Sequence, residues 1–89
     1  MTPLEKKALK AQAHNLNPVV TIGQAGLTEA VYNEIELALD AHELIKVKIR
    51  AEREDRTILS GQICRQTNAE LIQSIGQIAV LYRKNPDKK

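Results

Sequence analysis

Between Leu44 and Arg50 apolar and charged side chains alternate without a break. Ile45, Val47 and Ile49 fall on one side of an extended chain, and Lys46, Lys48 and Arg50 fall on the other. A period of two is that of a half-buried strand, so this segment predicts a strand with helices over its Ile/Val side and water on its basic side. Elsewhere the period lengthens. Leu27, Val31, Ile35, Ala38 and Leu39 follow helical spacing, and Thr28 supplies an N-cap, which predicts a helix from Glu29 to about Ala41. Thr2 as a cap, Pro3 at the first helical position and Glu5 at the capping-box position predict a helix from Pro3 to about Ala13. Asn15, Asn17 and Pro18 end it. A third helix is expected from Glu54 or Asp55 to Thr67, with Ile58, Leu59, Ile63 and Cys64 inward. Gly61 costs it about 1 kcal/mol relative to alanine, and Asn68 follows where a residue tolerating left-handed geometry is wanted.

Val19, Val20, Thr21 and Ile22 form a short β-branched run that reads as a buried strand. Two more strands, from Glu70 to Ile75 and from Gln77 to Arg83, flank Gly76 and predict a tight hairpin. The element order is therefore α-β-α-β-α-β-β. Strand–helix–strand crossovers favour parallel neighbours, whereas the terminal hairpin is antiparallel. The expected fold is α/β, a mixed four-stranded sheet with packed helices. It forms a single domain over residues 1–83, and residues 84–89 are expected to be a flexible polar tail.

Composition narrows the chemistry. The 89 residues suffice for one domain. Phe and Trp are absent and only Tyr32 and Tyr82 are aromatic, so stacking on nucleobases has little to work with. The net charge of +2 conceals segregation: residues 1–26 carry +2, residues 27–43 carry −5 and residues 44–89 carry +5. Such a distribution suits a protein that meets phosphate on one side. Cys64 is the single cysteine, which excludes an internal disulfide and a thiolate metal cage; its helical spacing marks it as a core residue. No apolar run approaches the ~20 residues of a membrane span, and no signal-peptide core opens the chain. A cytoplasmic protein without a membrane partner is expected.

One loop stands out. Residues 23–26 read Gly-Gln-Ala-Gly between a strand and a capped helix. Glycines remove the Cβ atoms that hold a phosphate away, and such a loop offers backbone N–H groups and a helix dipole to an anion. A nucleic-acid backbone is clamped this way in KH domains with little base preference. The third glycine of a dinucleotide fingerprint is missing, as is the Gly-Lys-Ser/Thr of a Walker loop. The cations Lys46, Lys48 and Arg50 stand about 7 Å apart along one sheet face, and Lys10 on the first helix extends them. His14 and His42 have no metal-ligand partner at helical spacing and stand at helix ends, where imidazoles meet the last carbonyls. No catalytic residue, metal site or cofactor site is expected.

Three stretches carry a resemblance. Leu16-Asn17-Pro18-Val19-Val20-Thr21-Ile22-Gly23-Gln24-Ala25-Gly26-Leu27-Thr28, His42-Glu43-Leu44-Ile45-Lys46-Val47-Lys48-Ile49 and Ser74-Ile75-Gly76-Gln77-Ile78-Ala79-Val80-Leu81-Tyr82-Arg83 resemble, in order and spacing, the CRM domain (chloroplast RNA splicing and ribosome maturation) in its stand-alone bacterial YhbY-like form. The resemblance implies a fold similar to the C-terminal domain of translation initiation factor three with an added N-terminal helix. It also implies RNA binding without catalysis, on ribosomal RNA in precursors of the large subunit. The family's Gly-x-x-Gly loop falls on Gly23, Gln24, Ala25 and Gly26, and its strand lysines fall on Lys46 and Lys48. With Arg50 and Lys10 these make the expected RNA-binding set. Two departures remove positive charge: Gln24 and Ala25 are neutral where many members carry Lys or Arg, and Gln77 replaces a basic residue. Asn68 stands where glycine is usual. A second reading makes the protein an interaction module, its acidic helix of residues 29–43 docking on a basic ribosomal protein.

Overall fold

Ile78, Ala79, Val80 and Leu81 are apolar without alternation, and a strand of that kind needs cover on both faces. In the computed structural model, which describes residues 2–85, this strand takes an inner place. The elements are α1 (Pro3–Ala13), β1 (Pro18–Ile22), α2 (Glu29–His42), β2 (Leu44–Ile49), α3 (Arg53–Thr67), β3 (Glu70–Ile75) and β4 (Ile78–Tyr82). The single four-stranded sheet has the order β1-β2-β4-β3. β1 and β2 are parallel across α2, as a crossover requires. The β3–β4 hairpin then inserts β4 antiparallel against β2. Its turn is closed by the pair Ile75 and Ile78, with Gly76 in the first loop position at φ +53°. The fold is the mixed α/β arrangement expected.

The helices do not all share one face. Ile45, Val47 and Ile49 join Ile35, Leu39 and Ile63 in the larger core, under α2 and α3. Ala13 joins Leu44, Ile72 and Val80 in a second core, with Leu9 and Tyr82 at its margin. α1 therefore lies across the opposite face of the sheet, and this corrects the expectation that the basic side of β2 is open to water. Lys46 sits opposite Val80, and Lys48 opposite Ile78. Both lysines are half-buried, their stems lying beside apolar neighbours that need cover.

Local chemistry explains the element ends. The Thr2 hydroxyl accepts the Glu5 N–H at 3.1 Å and the Thr28 hydroxyl accepts the Val31 N–H at 3.2 Å, the two caps expected. Asn68 adopts left-handed geometry (φ 58°, ψ 29°) and ends α3. Glu43, at φ 62°, turns the chain sharply from α2 into β2. Several boundaries shift. α3 opens one residue early, at Arg53 after Glu52; β4 ends at Tyr82; and β1 is an edge strand that begins at Pro18. Proline suits an edge, and only Val20 and Ile22 of this strand are buried. Ile58, expected inward, is 60% exposed. The inward stripe of α3 runs through Leu59, Ile63 and Thr67, and Ile58 lies one helical step, about 100°, away from it.

Arg83, expected inside the last strand, follows it and acts as a clamp. Its guanidinium donates to Glu36 Oε2 at 2.7 Å, Asp40 Oδ1 at 2.8 Å and the Thr67 carbonyl at 2.8 Å. One side chain thus joins the exit of β4 to α2 and to the last turn of α3. Partial burial works against its charge, but Glu36 and Asp40 outweigh that and raise the guanidinium pKa above its ordinary value. Within the segment expected to be a free tail, the Asn85 N–H donates to Glu43 at 2.7 Å; residues 86–89 lie outside the described residues. Arg83→Met should lower stability by about 2 kcal/mol, because it leaves the half-buried Glu36 carboxylate without its cation. Thermal unfolding followed by circular dichroism should show a melting point roughly 10 °C lower.

Candidate nucleic-acid interface

Because β1 and β2 run parallel, the segments that follow them emerge side by side at one end of the sheet. Open α/β sheets place ligands at this end, beyond the carboxyl ends of the strands. The Arg50 N–H donates to the Ile22 carbonyl at 2.9 Å and stitches the two exits together. Beyond Ile22, residues 23–26 form a closed turn in which the Gly26 N–H donates to the Gly23 carbonyl at 3.1 Å. Gly26 has φ +75°, and Thr28 donates back to its carbonyl at 3.1 Å. Of the backbone N–H groups the loop was expected to offer, that of Gly26 is spent inside the turn. Among the described residues the amides of Gln24 and Ala25 find no acceptor, and both residues are exposed.

This turn forms one wall of a groove of about 670 Å³; the first turns of α3 form the other, through Asp55, Ile58 and Gln62. Arg50 lines the groove as well. It was expected beside Lys46 and Lys48, but β2 stops at Ile49 and the chain turns, carrying Arg50 to the glycine loop. Glu52 and Asp55 share the groove with it, so its positive potential is tempered.

The remaining predicted cations gather elsewhere. Lys10 and Lys46 meet across a cavity of about 180 Å³ beneath α1, with His14, Gln73 and Ile78 among its other walls. The expected footprint is thus split. Gly23, Gln24, Gly26 and Arg50 line one groove, Lys10 and Lys46 line a cleft on the α1 face, and Lys48 points to that same face from between Thr21 and Ile78. Two cations went unnoticed in the sequence. Arg53 and Arg56, one turn apart on α3, line a third cleft of about 460 Å³ against the β3–β4 hairpin. Their i, i+3 spacing was the available signal.

Other candidate residues fall into structural roles. Burial raises the Cys64 thiol above its ordinary pKa, and the charge of Glu70 adds to that; the thiolate a nucleophile needs is disfavoured. Neither histidine ring reaches a carbonyl among the described residues; at the end of α1 it is the backbone N–H of His14 that bonds Lys10 and Ala11. No group of three or more metal-ligating side chains occurs among the described residues. Part of the charge of the acidic helix is engaged, with Glu36 and Asp40 held by Arg83 and Glu43 by Asn85, while Glu29 and Glu34 are exposed.

The fold is thus a small mixed sheet with a glycine turn at the carboxyl ends of two parallel strands. The chain belongs to the CRS1/YhbY (CRM) domain family, whose model matches residues 1–83. It is 49% identical over 97% of its length to a Pseudomonas aeruginosa protein named as a probable RNA-binding protein, covering 84% of that protein. It is 51% identical over 96% of its length to a Haemophilus influenzae protein named as an RNA-binding protein, covering 87% of it. The solution structure of a Staphylococcus aureus protein, described as an RNA-binding candidate, superimposes with a TM-score of 0.86 at 33% identity, over 100% of this chain and 94% of that one. None of these relatives is named as an enzyme, in agreement with the reading of the residues.

The two glycines of the turn should respond differently to a methyl group. A Cβ on Gly23 meets nothing within 4 Å, whereas Gly26 holds a positive φ. Gly26→Ala should cost about 1 kcal/mol and Gly23→Ala close to none, as read from urea unfolding midpoints.

Proposed function

We propose that this protein binds RNA through the turn of residues 23–26, and that the RNA is ribosomal, within precursors of the large subunit, in the cytoplasm. The observation that carries the reading is the pair of unengaged amides at Gln24 and Ala25, on a turn beside Arg50. The names of relatives that match nearly the whole chain support the RNA-binding part of it.

The chemistry is phosphate capture. The two amides donate to phosphate oxygens, and the absence of a Cβ at Gly23 lets the backbone come close. Arg50 adds a charge-assisted contact. Ile58, exposed on the facing wall, gives a ribose or base an apolar surface to rest on. Of the two tyrosines, Tyr32 is half-buried and its hydroxyl lies 3.4 Å from the Gln66 carbonyl. Stacking is therefore scarce and sequence preference is weak.

Gly23→Asp tests the turn. The site has room for a side chain, so the fold should survive while binding of a short single-stranded RNA falls about tenfold, a loss of about 1.4 kcal/mol. Unchanged affinity would remove the turn from the mechanism. The ribosomal part is tested by crosslinking in cells: crosslinks concentrated in large-subunit RNA support it, and crosslinks spread over messenger RNA contradict it.

A further inference from the structure

The first turns of α3 sort their side chains by helical period. Asp55, Ile58, Leu59 and Gln62 face the glycine turn. Arg53, Arg56 and Thr57 face the other way, toward Ser74 and Gly76 on the β3–β4 hairpin. We infer that this second cleft is a phosphate-binding site for the RNA backbone, distinct from the glycine turn. The inference rests on RNA binding as proposed above and assigns five residues outside that reading.

Charge distinguishes the two sides. The groove at the glycine turn holds Arg50 against Glu52 and Asp55. The hairpin cleft holds two arginines and no carboxylate. Arg53 is exposed and has no ion-pair partner among the described residues. Arg56 is held in place by its own bond to the Ala51 carbonyl at 2.9 Å, which fixes one guanidinium edge and leaves the rest of the fork for a ligand. The polar groups match a sugar–phosphate chain. Ser74 brings a hydroxyl donor. Thr57 spends its proton on the Arg53 carbonyl at 3.1 Å, so its oxygen serves as an acceptor, as a ribose 2′-hydroxyl requires. Gly76 has open space where a Cβ would stand, and the hairpin backbone there admits close approach. A helix about 10–12 Å across separates the two clefts. One strand that leaves the glycine turn and crosses the start of α3 reaches the arginines within a few nucleotides.

The test measures binding of a short single-stranded RNA at several salt concentrations, with circular dichroism to verify folding. Arg53→Glu should weaken binding about tenfold and reduce the slope of log K against log salt by about one. Ser74→Asp, on the opposite wall, should weaken it in the same direction and serves if Arg53→Glu does not fold. Arg65→Glu, the same charge change on the last turn of α3, should have a much smaller effect. Wild-type affinity and slope in both cleft variants, with Gly23→Asp still defective, would overturn the second site and leave the first standing. An Arg65→Glu loss as large as that of Arg53→Glu would also overturn it, because net charge alone would then explain the effect. Absence of RNA binding by the wild-type protein would overturn both readings together.

Discussion

The molecule is organised around a strand that is apolar on both sides. Ala79 and Leu81 belong to the core beneath α2 and α3, whereas Val80, between them, belongs to the core beneath α1. A sheet carrying such a strand has no face to give wholly to water. The N-terminal helix must close the second face, and the lysines of β2 are drawn into its shadow. The position of β4 between β2 and β3 follows from the same need, since an inner strand is flanked as well as covered.

What was legible in the sequence was mostly local. The caps at Thr2 and Thr28, the left-handed Asn68, the hairpin at Gly76 and the alternation of β2 each depend on a few adjacent residues, and each is found in place. What was misread depends on partners distant in the chain. The alternation of Ile45 and Lys46 shows that two faces differ but not which helix covers which face. The uninterrupted run from Ile78 to Leu81 held that information and was passed over. Arg50 continues the alternation of β2 in sequence but leaves the strand in space. Arg83 reads as one more strand residue until Glu36 and Asp40 arrive from α2. In the candidate site, the glycine turn was visible as a motif, while the internal use of its Gly26 amide is a matter of turn geometry.

The electrostatic layout follows from where the helices begin and end. α2 starts beside the glycine turn, so its positive dipole end serves that part of the surface. Glu36, Asp40 and Glu43 lie in its later turns, where Arg83 and Asn85 engage them. Three of the five carboxylates in residues 27–43 are thus engaged away from the glycine turn, whereas Glu29 stands exposed in the first turn of α2 beside it. Lys10 and Lys46, on the α1 face, add a separate positive region whose field reaches about a Debye length, roughly 8–10 Å, in ordinary salt.

α1 is the layer held by the least apolar contact. Ala13 is its one buried side chain, Leu9 is half-buried, and Leu4 is 80% exposed. Elements with few buried contacts open at lower free energy than the rest of a domain. Thermal motion would therefore peel this helix from the sheet before it disturbs α2 or α3. Each such excursion would uncover Val80, Ile72 and the stems of Lys46 and Lys48 together.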